Sequence, residues 1–162
     1  MKRRQKRRDY RYTDEHGETW DSKFEARVFN ELRAPAVRLG LTLRRCVKPG
    51  DSVAYTTAIR GANCVECGSH EVVQRRTYTP DVHVCGSGRE IWIEAKGYFD
   101  ATKRACLRSL VKQAPDFDVR IVLAADHKAG KGTITEYITK YMKVPVMVLK
   151  KDGIPDDFLR KQ

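Results

Sequence analysis

One segment constrains this chain more than any other: Tyr78-Thr-Pro-Asp-Val-His-Val-Cys-Gly-Ser-Gly-Arg-Glu-Ile-Trp-Ile-Glu-Ala-Lys-Gly97. Two runs of alternating residues flank Gly86-Ser87-Gly88, and a glycine-rich break between such runs predicts a β-hairpin. With Ser87 and Gly88 as the loop residues, Asp81 falls opposite Glu94, His83 opposite Trp92 and Cys85 opposite Glu90. The other face then holds Val82, Val84, Ile91, Ile93 and Ala95, all apolar. A slip of one residue would mix the two faces, so the pattern selects this register. Lys96 lies two residues beyond Glu94 and projects from the same side as the two acids.

The rest of the chain supplies elements to build around this hairpin. From Asp21 to Arg33 the residues Phe24, Val28, Phe29 and Leu32 recur at helical spacing, with Asp21 or Ser22 available as a cap. Leu41 to Val47 reads as a strand, closed by a Lys48-Pro49-Gly50-Asp51 turn. Residues 53–60 and 71–78 read as extended, with Cys64-Val-Glu-Cys67-Gly68 between them. A helix over 101–113 is ended by Pro115. Val119 to Ala124 is a short apolar run, the pattern of a strand buried on both faces. A helix over 133–142 and a strand over 144–149 complete the series. Ala129-Gly-Lys-Gly-Thr133 lacks the spacing of a P-loop and reads as a loop before a helix. The order predicts an α/β fold with a mixed central sheet flanked by helices. A chain of 162 residues is long enough for one such domain and its core.

Charge narrows the partner. The net charge is +11, and residues 1–12 alone carry Lys2, Arg3, Arg4, Lys6, Arg7, Arg8 and Arg11 against one acid, Asp9. A polyanion, nucleic acid first, is the expected partner. Residues 1–19 read as a basic, disordered arm making salt-dependent phosphate contacts, and 20–162 as the folded domain. Lys103, Arg104, Arg108 and Lys112 recur at helical spacing and are candidates for further backbone contacts. No apolar run approaches the roughly 20 residues of a membrane helix. No apolar segment follows the basic start, so we expect no leader, no membrane and a cytoplasmic location.

The hairpin carries the chemistry. Opposed carboxylates repel unless a cation neutralises them, and Mg²⁺ or Mn²⁺ suits oxygen ligands. Such a cation activates water and offsets charge at phosphorus, and a neighbouring lysine can orient that water. The plain alternative is a solvated strand face with an ion pair from Lys96.

Pro80-Asp81 followed by Glu94-Ala95-Lys96 resembles the PD-(D/E)xK nuclease signature. Taken with Ser22-Lys-Phe-Glu25-Ala-Arg-Val, Tyr78-Thr-Pro-Asp81, Glu94-Ala-Lys-Gly97, Asp118-Val-Arg-Ile-Val122 and Ile154-Pro-Asp-Asp-Phe158, residues 20–160 resemble the phage endonuclease I family. These are the Holliday-junction resolvases of T-odd podophages. The resemblance implies a restriction-endonuclease-like PD-(D/E)xK core and a homodimer with exchanged segments. It implies paired nicking of four-way and other branched DNA, in host cytoplasm if the chain is phage-encoded. Asp81 and Glu94 would hold metal, Lys96 would serve the attacking water, and Glu25 would complete a second metal site, with two Mg²⁺ or Mn²⁺ per active site.

The chain departs from the family in a hairpin insertion at about 48–77. Cys64 and Cys67 are spaced like one knuckle of a structural zinc site, with Cys46, His70 and Cys85 as candidates for the remaining ligands. Five cysteines in a cytoplasmic chain are expected as thiols or metal ligands rather than disulfides. Two rivals stand beside the resolvase. One is a restriction-, repair- or transposase-like nuclease of the same fold acting on linear duplex. The other is a zinc-stabilised DNA-binding protein without catalysis.

Overall fold

The computed structural model describes residues 11–47, 49–58 and 73–160. The chain runs β1 (Tyr12–Thr13), β2 (Thr19–Trp20), α1 (Lys23–Arg38), β3 (Thr42–Arg45), β4 (Val53–Ala58), β5 (Val73–Tyr78), β6 (Val82–Gly86) and β7 (Arg89–Lys96). It continues with α2 (Ala101–Gln113), β8 (Val119–Leu123), β9 (Lys128–Ala129), β10 (Gly132–Thr133), α3 (Ile134–Tyr141), β11 (Val146–Val148) and a 3-10 turn, Asp156–Leu159. Five strands form one mixed sheet in the order β11-β8-β7-β6-β3. The β3–β6 and β6–β7 pairs are antiparallel, whereas β7–β8 and β8–β11 are parallel. The α/β architecture with a mixed sheet is therefore as the sequence predicts.

The hairpin forms in the expected register, with His83 opposite Trp92 and Cys85 opposite Glu90. Ser87 and Gly88 both have positive φ, at 52° and 71°, the backbone of a type I′ turn whose twist matches the strands. Glycine adopts that conformation freely, but serine pays a steric penalty that asparagine largely avoids. Ser87→Asn is therefore expected to stabilise the protein by about 0.5–1 kcal/mol. Thermal unfolding checks this, and an unchanged or lower melting temperature would contradict it.

Alternation sorts the sheet into two faces. On one, Val82, Val84, Ile91, Ile93, Ala95 and Val122 pack against Ala26, Val28, Phe29, Leu32 and Ala36 of α1. On the other, Val119, Ile121 and Leu123 pack under Leu107 and Leu110 of α2 and Ile134 and Ile138 of α3. The carboxylate face of the hairpin belongs to this second side. It is only partly solvated: Glu94 is 2% and His83 7% exposed, whereas Glu90 at the turn end is open to solvent.

Three boundaries differ from the sequence reading. Helix α1 does not stop at Arg33 but continues through Pro35 to Arg38. A proline inside a helix costs about 3 kcal/mol, here offset by burial of Pro35 and Ala36 and by a strong terminus. Gly40 at φ +65° supplies that terminus, with the Leu41 amide donating to the Ala36 carbonyl (2.8 Å), a Schellman closure. Ordered structure also begins before Trp20. The Asp14 carboxylate accepts from the His16 and Glu18 amides (3.0 and 2.9 Å) and from the buried Trp20 indole (2.9 Å), tying β1 to β2. The arm residues Lys2, Arg3, Arg4, Lys6, Arg7 and Arg8 lie outside the described residues. Finally, the glycine loop over 129–133 closes a short β9–β10 hairpin, and Thr133 and Glu136 form a capping box for α3.

Of the hairpin expected at about 48–77, the base lies among the described residues. Strands β4 and β5 pair residue for residue, from Val53 with Tyr78 to Ala58 with Val73, as a separate two-stranded ribbon. Cys64, Cys67 and His70 lie outside the described residues.

Candidate active site

The chain turns from the ribbon into the sheet at Thr79-Pro80, which aims Asp81 and Glu94 toward one end of the hairpin, away from the Ser87 turn. Asp81 is held on three sides. Its amide donates to the Ile93 carbonyl (3.1 Å), its carbonyl accepts from the Cys46 amide (3.1 Å), and its Oδ2 accepts from the Ala95 amide (2.7 Å). The Lys96 ammonium pairs with Glu94 Oε1 and lies 3.9 Å from Asp81 Oδ2. Asp21 and Glu25, at the start of α1, complete a cleft of about 470 Å³ with Asp81, Glu94 and Lys96.

All four residues singled out from sequence thus line one cleft, though they come from α1, the approach to β6, and β7. Ser22 is the helix cap, its hydroxyl accepting from the Glu25 amide (3.2 Å). That leaves Asp21 free to face the cleft, an acid the sequence reading took only as an alternative cap. Asp21 precedes the cap and stands outside the helical turn, so no helical spacing marked it. Arg45, stacked over Trp20 at 5.0 Å, is a second cation at the rim that sequence reasoning missed.

The electrostatics are those of crowded, buried acids. Burial pushes the Asp81 carboxyl up to about 7; Glu94 pushes the same way, and Lys96 pulls against both. Glu25 is raised for the same reason, burial first and Asp81 second. For Lys96, burial opposes the charged form, but Glu94 and Asp81 outweigh it and hold the ammonium charged. Tyr78 is raised well above its usual range by burial and then by Glu94. Its hydroxyl lies against Glu94, and among the described residues neither that hydroxyl nor Glu94 Oε2, both buried, completes a hydrogen bond of good geometry. Among the described residues, no three His, Cys, Asp or Glu side chains are drawn together as a ready-made metal cage.

The raised Asp81 has a consequence for stability. Its carboxyl binds a proton more tightly in the folded chain than in the unfolded one. Ionising it as pH rises from about 4 to about 7 therefore removes stability, and the penalty persists above that window. Asp81→Asn is expected to unfold with a flatter pH dependence across this range. At pH 8 it should be more stable than wild type by on the order of 1–3 kcal/mol. Denaturant titrations at pH 4.5 and 8 test this; parallel curves for the two proteins would refute it.

Other sequence candidates sit elsewhere. Cys46 faces the acid cleft, where burial, and next Asp51, push its thiol up to about 12; this disfavours it as a zinc thiolate. Cys85 pairs with Thr42 at the far end of β3, four residues along the strand from Asp81, so one zinc cannot take both Cys46 and Cys85. Cys46, Cys85 and Cys106 are free thiols. His83 stacks on Trp92 at 4.0 Å and is tied to Glu90 and Arg44, outside the cleft. On α2, Lys103 pairs with Asp100 at 3.8 Å, and Arg104 donates to the Phe99 carbonyl while stacking over Tyr137.

Among the described residues, no helix is long and apolar enough to cross a membrane. No protein-family model matches the chain, and no curated protein matches it.

Proposed function

We propose that this chain is a metal-dependent DNA endonuclease with a PD-(D/E)xK core, nicking branched DNA as a homodimer in the manner of a junction resolvase. The observation that carries the reading is the meeting of Glu25, Asp81, Glu94 and Lys96 in one cleft, with Glu94 Oε2 buried and short of a well-formed hydrogen bond among the described residues. A buried carboxylate oxygen without a partner is costly, and such sites are retained where a ligand or ion completes them. The donor set is all oxygen, which fits Mg²⁺ or Mn²⁺. Asp81 and Glu94, with Glu25 as the outer ligand, would hold the cation. When bound, it supplies an activated water and neutralises charge on the phosphate.

The chain's own residues do the rest. The Ala95 amide fixes the Asp81 carboxylate, so that its ligating oxygen needs no reorganisation. Lys96 stays charged and can hold a water against the phosphorus or offset the growing negative charge on a phosphate oxygen. The net charge of +11 draws the polyanion to a cleft that is itself acidic. Two copies supply the two active sites that paired nicks require. A structural zinc at Cys64 and Cys67 belongs to the same proposal, and elemental analysis should find about one zinc per chain.

The test is nicking of a labelled four-way junction and a matched linear duplex, each in Mg²⁺ and in EDTA. Mg²⁺-dependent cuts near the branch with the duplex spared support the resolvase. Cuts in both substrates support a nuclease of the same fold with a linear target. Binding without cleavage in Mg²⁺ or Mn²⁺ would overturn the enzyme reading and leave Lys96–Glu94 as a structural ion pair.

A further inference from the structure

A second cleft, of about 610 Å³, opens between the β4–β5 ribbon and α2. Arg76 lines it from the ribbon, and Arg108, Ser109 and Lys112 line it from α2. Among the described residues, no carboxylate lines it. Arg76 donates to Thr57 Oγ1 (3.1 Å) and Gln74 Oε1 (2.9 Å), and Arg108 stacks over Tyr141 at 5.9 Å. None of Arg76, Arg108 and Lys112 has an ion-pair partner among the described residues. Three like charges facing one cleft repel one another unless an anion joins them.

The walls are fixed relative to each other. The Gln113 side chain accepts from the Thr56 amide (2.9 Å) and donates to the Thr56 carbonyl (2.8 Å), clamping α2 to β4. Ser109 donates to the same carbonyl (3.0 Å), and Tyr55 is buried beneath. The two clefts are also close along the chain. Arg76 lines the cationic one and Thr79 the acidic one, so at most about 10 Å of extended backbone separates them. A DNA strand presents a phosphate about every 3.4 Å along its axis. A strand seated in the acid cleft would therefore meet the Arg76 side of the cationic cleft roughly three nucleotides away.

We propose that the cleft between β5 and α2 grips the phosphate backbone of the duplex arm next to the cut, without reading sequence. This rests on the nuclease reading. It also moves the phosphate-contacting face of α2 from Lys103 and Arg104, whose groups are engaged elsewhere, to Arg108 and Lys112 with Arg76.

The experiment is binding of the full chain to a labelled four-way junction in EDTA across a salt series, with nicking in Mg²⁺ assayed alongside. The triple variant Arg76→Gln, Arg108→Gln, Lys112→Gln is compared with a control losing three distant exposed cations, Arg33→Gln, Lys150→Gln, Lys151→Gln. Each lost phosphate contact removes about 0.9 from the slope of log affinity against log salt. The cleft variant should lose between about two and three, and affinity should fall on the order of 100-fold at 100 mM salt, with the control near wild type. A slope equal to the control's overturns the cleft, and if that protein still nicks, the nuclease reading survives alone. A cleft-dependent slope in a wild type that never nicks supports the cleft and overturns the nuclease. Single variants, each expected to remove about one unit of slope, keep the test available if the triple variant does not fold.

Discussion

Glu94→Gln is expected to lower Mg²⁺-dependent nicking by on the order of 10³-fold or more while leaving junction binding in EDTA intact or tighter. The side chain is 3% exposed and paired with Lys96, and its second oxygen completes no hydrogen bond among the described residues. An amide of the same shape keeps an acceptor for the ammonium but loses the negative charge that a divalent ion needs. Removing that charge also lowers repulsion toward phosphate, so binding should not suffer. Lys96→Gln should fall by a smaller factor, about 10²-fold, because it acts on the water and the phosphate oxygen rather than on ion capture. Comparable nicking by wild type and Glu94→Gln, measured with both proteins saturated by junction, would remove Glu94 from the chemistry.

Arg120→Met is expected to cost about 3–5 kcal/mol of stability, a fall in melting temperature on the order of 10 °C. Arg120 is 2% exposed, although it lies in the middle of the apolar β8 strand. Its guanidinium meets both oxygens of Asp118 (2.9 and 2.6 Å) and donates to the carbonyls of Phe158 and Arg160. Those carbonyls belong to the C-terminal segment that buries Phe158 and Leu159 over the α1 face. Methionine fills the space but leaves two carbonyls without their donor, so the segment should loosen first. Protease sensitivity near residue 158 should rise before global unfolding. A melting temperature within about 2 °C of wild type would show that the segment is held by its apolar side chains alone.

Much of this was legible before any coordinates. The hairpin register followed from two local facts, the period-2 alternation and a turn able to take positive φ at Ser87 and Gly88. The limits of α2 matched because Asp100 caps it and Pro115 follows. The same local logic misled at α1. There the apolar period was followed only to Arg33, but burial of Pro35 and the closure at Gly40 carried the helix on. The β1–β2 hairpin was hidden because two-residue strands have no period to detect; it exists through the Asp14–Trp20 hydrogen bond.

By itself, the sequence determined the alternation of faces, the sharing of one side by Asp81, Glu94 and Lys96, and the cationic character of the whole. Each depends on residue order and on interactions within a few positions, which the chain carries in any conformation. Only the tertiary structure decided that Glu94 on the polar side of the hairpin is buried, and that Asp21 and Tyr78 join the acids. It alone set Arg120 to hold the C-terminal segment and Arg76 to face α2. These are contacts between residues far apart in sequence, 38 positions for Arg120 and Phe158, chosen by how the two sheet faces were covered, and no local pattern encodes which helix covers which face.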